Sequence, residues 1–412
     1  MEGKNLILAI SLSALVLIFW SIFFAPPPPT MDIEQNRIEK IQKDKDSEIS
    51  SPSLETTTKT KIISRKGSLK STKRISLENE NIVGSISLTG GILDDITLKN
   101  YNQNLNSEEK VILLNPNTSE EGYYIESGWA STSQEVDLPN NMTEWSVVGN
   151  SKLTPNSTVT LKWINNNGII FLKIISLDEK FLFKINQQVK NNGNNSYDFY
   201  PYAQIVRNKK PETLGFYILH EGFIGVFNEE LKEEDYNDIE EKKYTNNSSS
   251  GWLGITDKYW ITAIVPEKDK NFKSEFIHDK NYRANFIQTD VIQSLPNQII
   301  SSEIRIFTAA KEVAVIDSYA KNQEIEKFDL TIDWGWFYFF TKPLFFIIDY
   351  FFKLTGNFGI AIILITACIR LIFFPLANYS FKSMAKMKVL QPEMVRLKEL
   401  HKDDKVKLQQ EM

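Results

Sequence analysis

The stretch NFGIAIILITACIRLIFFPLA at residues 357–377 carries one charged side chain, Arg370, in its 21 residues. As a helix rising 1.5 Å per residue it would cover roughly 30 Å, the hydrocarbon thickness of a bilayer. It predicts a membrane span. The segment that follows, 379–412, holds eight lysines and arginines between Lys382 and Lys407, and such flanks stay on the cytoplasmic side. A second uncharged run, LILAISLSALVLIFWSIFFA at 6–25, opens the chain. Its long apolar core, with Phe23 and Pro26 placed badly for a cleavage site, reads as an anchor that is kept, and residues 1–25 form that element. Two spans put both termini in the cytoplasm and everything between them outside.

The region between is polar and acidic, with the character of a soluble protein. Pro26 to Pro29 end the first helix. The Lys, Glu, Ser and Thr-rich stretch that follows has no aromatic residue before Tyr101. Residues 26–74 therefore read as a flexible tether that lacks the apolar surface to order itself. From 75 to 328 the pattern changes to short alternating runs. Val159, Leu161 and Trp163 make one, Ile170, Leu172 and Ile174 another, and Phe181, Phe183 and Ile185 a third. Asn165-Asn166-Asn167-Gly168 and Asn192-Gly193-Asn194 punctuate them as turns. Many short strands predict an antiparallel β-sandwich, with 311–328 as a helical connection back to the membrane. The fold class is a mixed membrane protein: two spans around a large β-domain.

Residues 333–355 are densely aromatic and carry Lys342, Asp349 and Lys353, which offsets of seven and eleven residues place on one helical stripe. With Trp334 and Trp336 at its start, this reads as an amphipathic helix lying in the membrane interface, the competing reading being another span. Arg370 lies inside the 357–377 span without an acidic residue on its own helix. It either faces a hydrated cavity or snorkels toward the cytoplasmic end. Met384, Met387 and Met394 recur at helical steps on the cytoplasmic segment, whose His401–Asp404 stretch reads as the turn of a hairpin; the methionines are candidates for adaptable contacts or for self-packing.

Other chemistry is excluded or weak. A net charge of −5 without a basic domain gives no reason to expect nucleic acid. With Cys368 the one cysteine, no internal disulfide forms, and three scattered histidines offer no metal spacing. No phosphate loop, zinc-protease helix or nucleophile elbow is present, so no cofactor, metal or catalytic residue is assigned. His220, Glu221 and Asp257 read as structural, and Gly222, Gly225, Gly251 and Gly254 as turn residues.

Several longer motifs, in consistent order, resemble the YidC membrane protein insertases. They are SLTGGILDDITLKNY at 87–101, HEGFIGV at 220–226, GWLGITDKYWITAIVP at 251–266, DWGWFYFFTKPLFF at 333–346, IRLIFFPL around Arg370 and SMAKMKVLQPEM at 383–394. The resemblance implies a nucleotide-independent insertase and chaperone of the Gram-negative inner membrane, with a periplasmic sandwich of a type also seen in sugar-binding proteins. It implies nascent membrane proteins as clients and the Sec translocon, ribosome and signal-recognition machinery as partners. Arg370 falls on the family's groove arginine and 379–412 on its cytoplasmic hairpin. The family continues with three further spans, so activity is expected of a longer form than one ending at Met412. The competing readings are a membrane-anchored carbohydrate-binding domain, with Trp129, Trp145 and Trp163 as an aromatic platform, and a membrane scaffold.

Overall fold

The computed structural model describes residues 62–104, 106–212, 219–335 and 337–400. The anchor expected at 1–25, most of the tether, Trp336 and the hairpin turn from His401 lie outside the described residues. Those described divide into two compact units. One holds the β-sheets, and the other gathers 313–317 with the chain from Phe328 onward.

The β unit consists of two sheets. The eleven-stranded sheet runs Tyr244–Ser248, Phe272–His278, Tyr282–Gln288, Tyr197–Arg207, Tyr123–Ser131, Ile92–Asn102, Ile82–Ser87, Arg74–Glu78 and Lys152–Leu153, with Ile292–Ser294 and Lys110–Leu114 paired off that path. The nine-stranded sheet runs Glu230–Asp235, Gly222–Phe227, Gly251–Thr256, Trp260–Val265, Ile299–Ala310, Leu182–Asn191, Ile169–Leu177, Val159–Ile164 and Ser146–Val148. Aromatic side chains interlock the two: Phe171 meets Phe199 edge-on at 6.1 Å, and Phe223 lies 5.2 Å from Phe276. The Tyr123 hydroxyl donates across the layer to the Ile255 carbonyl at 3.4 Å. The expected β-sandwich is what these sheets form, antiparallel throughout except where Arg74–Glu78 pairs with Lys152–Leu153 in parallel.

Local sequence explains the hairpins. At 165–168 the Asn165 side-chain oxygen accepts the Asn167 and Ile169 N–H groups at 3.0 and 2.8 Å. Gly168 supplies the positive φ of 77° that closes the turn. Strand Ile169–Leu177 alternates perfectly in burial. Its fully buried face, however, carries Ile169, Phe171, Lys173 and Ile175, and the run Ile170, Leu172, Ile174 is the half-buried face.

Two expectations change. Gly222, Gly225, Gly251 and Gly254 are not turn residues; they lie in the paired strands Gly222–Phe227 and Gly251–Thr256. A Cβ at Gly251 would stand 1.8 Å from the Val226 carbonyl oxygen, and one at Gly254 2.3 Å from that of Thr262. Close strand approach demands glycine at Gly254, and at Gly251 a φ of 116° adds to it. The tether also ends before Arg74. Residues Arg65–Ser71 form a helix, α1, whose first turn is capped by Ser64. Arg65 pairs with Asp95, Thr118 Oγ1 donates to Ser68 Oγ at 2.6 Å, and the Ile63 N–H reaches the Thr118 carbonyl at 2.9 Å. Polar contacts order a segment whose composition alone suggests none.

Helix α2 covers Tyr236–Glu241, and the connection out of the sandwich contains α3, Val313–Asn322. Within α3 the Tyr319 hydroxyl donates to Asp178 at 2.6 Å and accepts the Phe181 N–H at 3.1 Å. A short 3₁₀ turn at Phe328–Thr331 leads to α4, Tyr338–Thr355, and α5, Phe358–Leu400. Helix α5 is unbroken for 43 residues, although the sequence reading divides it at residue 378. Pro375 and Pro392 are accommodated inside it.

Candidate functional site on the C-terminal helices

A tight turn built from local signals joins helices α4 and α5. Gly356 takes the left-handed conformation, φ 66°, and its N–H closes on the Phe352 carbonyl at 2.7 Å. Asn357 then caps α5 by accepting the Ile360 N–H at 3.2 Å. Ala361 and Ile365, one turn apart, are the residues of α5 that become buried, while Ile363, Leu371, Ile372, Phe374 and Leu376 are exposed. An apolar helix with so little covered surface is built for a medium other than water.

Arg370 projects from this surface. It is exposed, with no ion pair among the described residues. It lies seven residues, about 10 Å, before the end of the apolar run. Met384, Met387 and Met394 follow on the same helix and are exposed as well. The structure thus sets Arg370 and the three methionines along one continuous helix and brings Arg370 no ion-pair partner among the described residues.

The polar stripe of α4 is different. Lys353 pairs with Asp349 one turn away at 2.6 Å. Lys342 reaches back instead, to Asp329 at 2.8 Å and Asp317 at 3.3 Å, with Trp334 beside it. Aspartates 317 and 329 carry no local motif, and sequence reasoning missed them. The aromatic face of α4, including Phe339, Phe340, Phe346 and Tyr350, is exposed.

In the β unit a cleft of about 700 Å³ is lined by Tyr123, Arg207, Asp257 and Trp260 with Ile62, Leu113, Glu120 and Glu121. Its carboxylates are all answered: Asp257 by Arg207 at 2.7 Å, Glu120 and Glu121 by Lys209 at 3.3 and 3.4 Å. Arg207 also stacks on the Tyr123 ring at 4.6 Å and donates to the Tyr236 hydroxyl at 3.1 Å. Burial pushes both tyrosine hydroxyls far above their ordinary pKa. Glu221 accepts the Lys258 N–H at 3.1 Å, and the His220 N–H donates to Asp333 at 3.3 Å, which suits structural roles. Trp129 and Trp145 are core residues, and Trp163 leans on Phe171; they make no common platform.

Comparison with known proteins joins the two regions in one family. Residues 74–347 match the family described as YidC periplasmic domain, and 350–412 the family described as 60Kd inner membrane protein. The membrane protein insertase YidC of Pelagibacter ubique is 53% identical over 412 residues, covering 100% of this chain and 73% of that protein. Those of Brucella melitensis and Rickettsia bellii are 37% and 39% identical, covering 100% and 99% of this chain and 72% and 73% of the relatives. Among solved structures, a galactose mutarotase related enzyme from Lactobacillus acidophilus aligns at 9% identity and a TM-score of 0.42, over 57% of this chain and 97% of that one. With similarity that covers this chain from end to end and both of its parts matched in order, this chain belongs to the YidC family of membrane protein insertases.

Proposed function

We propose that the protein inserts and helps to fold nascent inner-membrane proteins, without nucleotide, cofactor or catalytic residue. The observation that carries this reading is the exposed apolar surface of α5 with one guanidinium set into it. A cation inside a span costs about 2.5–3.5 kcal/mol on insertion scales, so it is retained where water or an acidic client meets it. Arg370 then faces a hydrophilic groove, draws polar or acidic client segments inward and shortens the apolar distance they cross. Residues 358–377 span the membrane. Since 43 residues of helix extend roughly 65 Å, α5 continues into the cytoplasm. There Met384, Met387 and Met394 offer a surface to the hairpin's return arm, to the ribosome or to signal-recognition machinery. Helix α4 lies in the outer interface, the sandwich stands in the periplasm, and the Sec translocon is a partner.

The test is complementation of an insertase-depleted bacterium by the full-length form, with insertion of a single-span client as readout. The unsubstituted protein is expected to restore insertion, Arg370→Lys to retain most of it, and Arg370→Ala to lose at least about ten-fold, equivalent to one pK unit or 1.4 kcal/mol. Full activity of the alanine variant would leave Arg370 as a snorkelling residue. Failure of a well-expressed unsubstituted protein would refute the insertase reading. The carbohydrate-binding alternative gains no support from the cleft, whose carboxylates are neutralised by their own cations.

A further inference from the structure

Helix α4 begins on a knot of charges drawn from three separate stretches of sequence. The Lys342 ammonium lies 2.8 Å from Asp329 Oδ2, 3.3 Å from Asp317 Oδ1 and 5.7 Å from the centroid of the Trp334 ring. Trp334 is itself held. Its indole N–H donates to the Asp329 carbonyl at 3.3 Å, its carbonyl accepts the Thr341 hydroxyl at 2.7 Å, and its ring meets Phe345 edge-on at 5.6 Å. The three charged side chains are between 23% and 33% exposed, so water screens this cluster less than it screens a fully exposed surface pair. The effect on the helix follows from charge placement. A free lysine near the start of α4 would pull toward lipid phosphates and drag the helix outward. With its charge already met by two carboxylates, Lys342 makes no such demand, and the aromatic face can settle to its own depth.

We propose that Asp317, Asp329 and Lys342, backed by Trp334, form a clamp that sets the depth at which α4 lies in the membrane surface, making Lys342 a positioning residue for insertion. This rests on the reading of α4 as interfacial and of the protein as an insertase.

The test uses the full-length protein in liposomes, in a Cys368→Ser background with a spin label at Tyr350→Cys. Relative accessibility to oxygen and to a water-soluble nickel chelate reports depth, and client insertion is measured in parallel. Lys342→Met strands two carboxylates beside the interface. It is expected to shift the label toward water, with chelate accessibility up and insertion down by about five-fold, the effect of roughly 1 kcal/mol. Lys342→Arg should restore both, as should the exchange Lys342→Asp with Asp329→Lys. The double variant Asp317→Asn, Asp329→Asn, which frees the lysine, is expected to move the label in the same direction. A label whose depth and whose client insertion ignore Lys342→Met overturns the clamp. A label that is already water-exposed in the Lys342 protein overturns the interfacial reading, and the clamp with it.

Discussion

Lys173 shows how a single residue departs from its pattern. It is 3% exposed, inside the sandwich, and its ammonium donates to the carbonyls of Ser127 at 2.7 Å and Gly91 at 3.3 Å, beneath the Trp145 ring at 5.1 Å. Burial pushes its pKa from 10.5 down to about 8, with the Glu126 carboxylate opposing. The sign of the consequence is fixed by proton counting. Below pH 8 folded and unfolded chains both hold the proton, and the desolvation penalty is fully present. Between about 8 and 10.5 the unfolded chain holds more proton, so stability rises with pH by up to roughly 3 kcal/mol from this residue. The stability of the unsubstituted domain relative to Lys173→Met is therefore expected to grow from pH 7.5 to 9.5 in urea titrations. A flat difference would mean that Lys173 keeps an ordinary pKa. The strand around it is legible in the sequence, but its buried face is not, since alternation marks two faces and hydropathy then prefers the one without a lysine.

Among elements, α1 is the clearest case of order invisible to composition. Its seven residues contain no buried apolar side chain, and Ser68 is the one residue they bury. What holds the helix is the Ser64 cap, the Arg65 pair with Asp95 and the Ser68–Thr118 hydrogen bond. A sandwich fragment beginning at Lys73 is accordingly expected to melt about 5 °C below one beginning at Ile62, a loss of roughly 2 kcal/mol for a domain of this size. Equal melting temperatures would show α1 to be an appendage. The strands, by contrast, announce themselves through period-2 alternation and asparagine-glycine turns, whereas the α4–α5 corner at Gly356 and Asn357 is evident only in the structure. Glycine alone was ambiguous. At Gly254 it serves close strand contact and at Gly251 both close contact and a positive φ, and nothing within a few residues distinguishes these from a tight turn.

For the molecule as a whole, the two compact units ask for different media. The β unit buries its aromatic residues between its own sheets, as Trp252, Phe171 and Phe223 show, whereas α4 and α5 leave theirs exposed. Fragment 62–327, which includes the Glu326 carbonyl that accepts the Trp252 indole N–H at 3.0 Å, is expected to be soluble without detergent and to unfold in one cooperative transition followed by circular dichroism. Broad, probe-dependent melting or a need for detergent would contradict the self-contained core.

By itself the sequence determined that the run at 357–377 is long and apolar enough to cross a membrane, that the middle is β-rich, that the flank after 377 is basic and that Arg370 is the one charge within the apolar run. Each of these depends on the composition or period of a contiguous stretch, which local physics reads directly. The tertiary structure alone decided that Lys173 is buried, that the cleft's acids are neutralised, and that Asp317 and Asp329 converge on Lys342. Those pairings join residues many positions apart, and their partners are chosen by sheet register and helix placement, quantities that no single segment encodes.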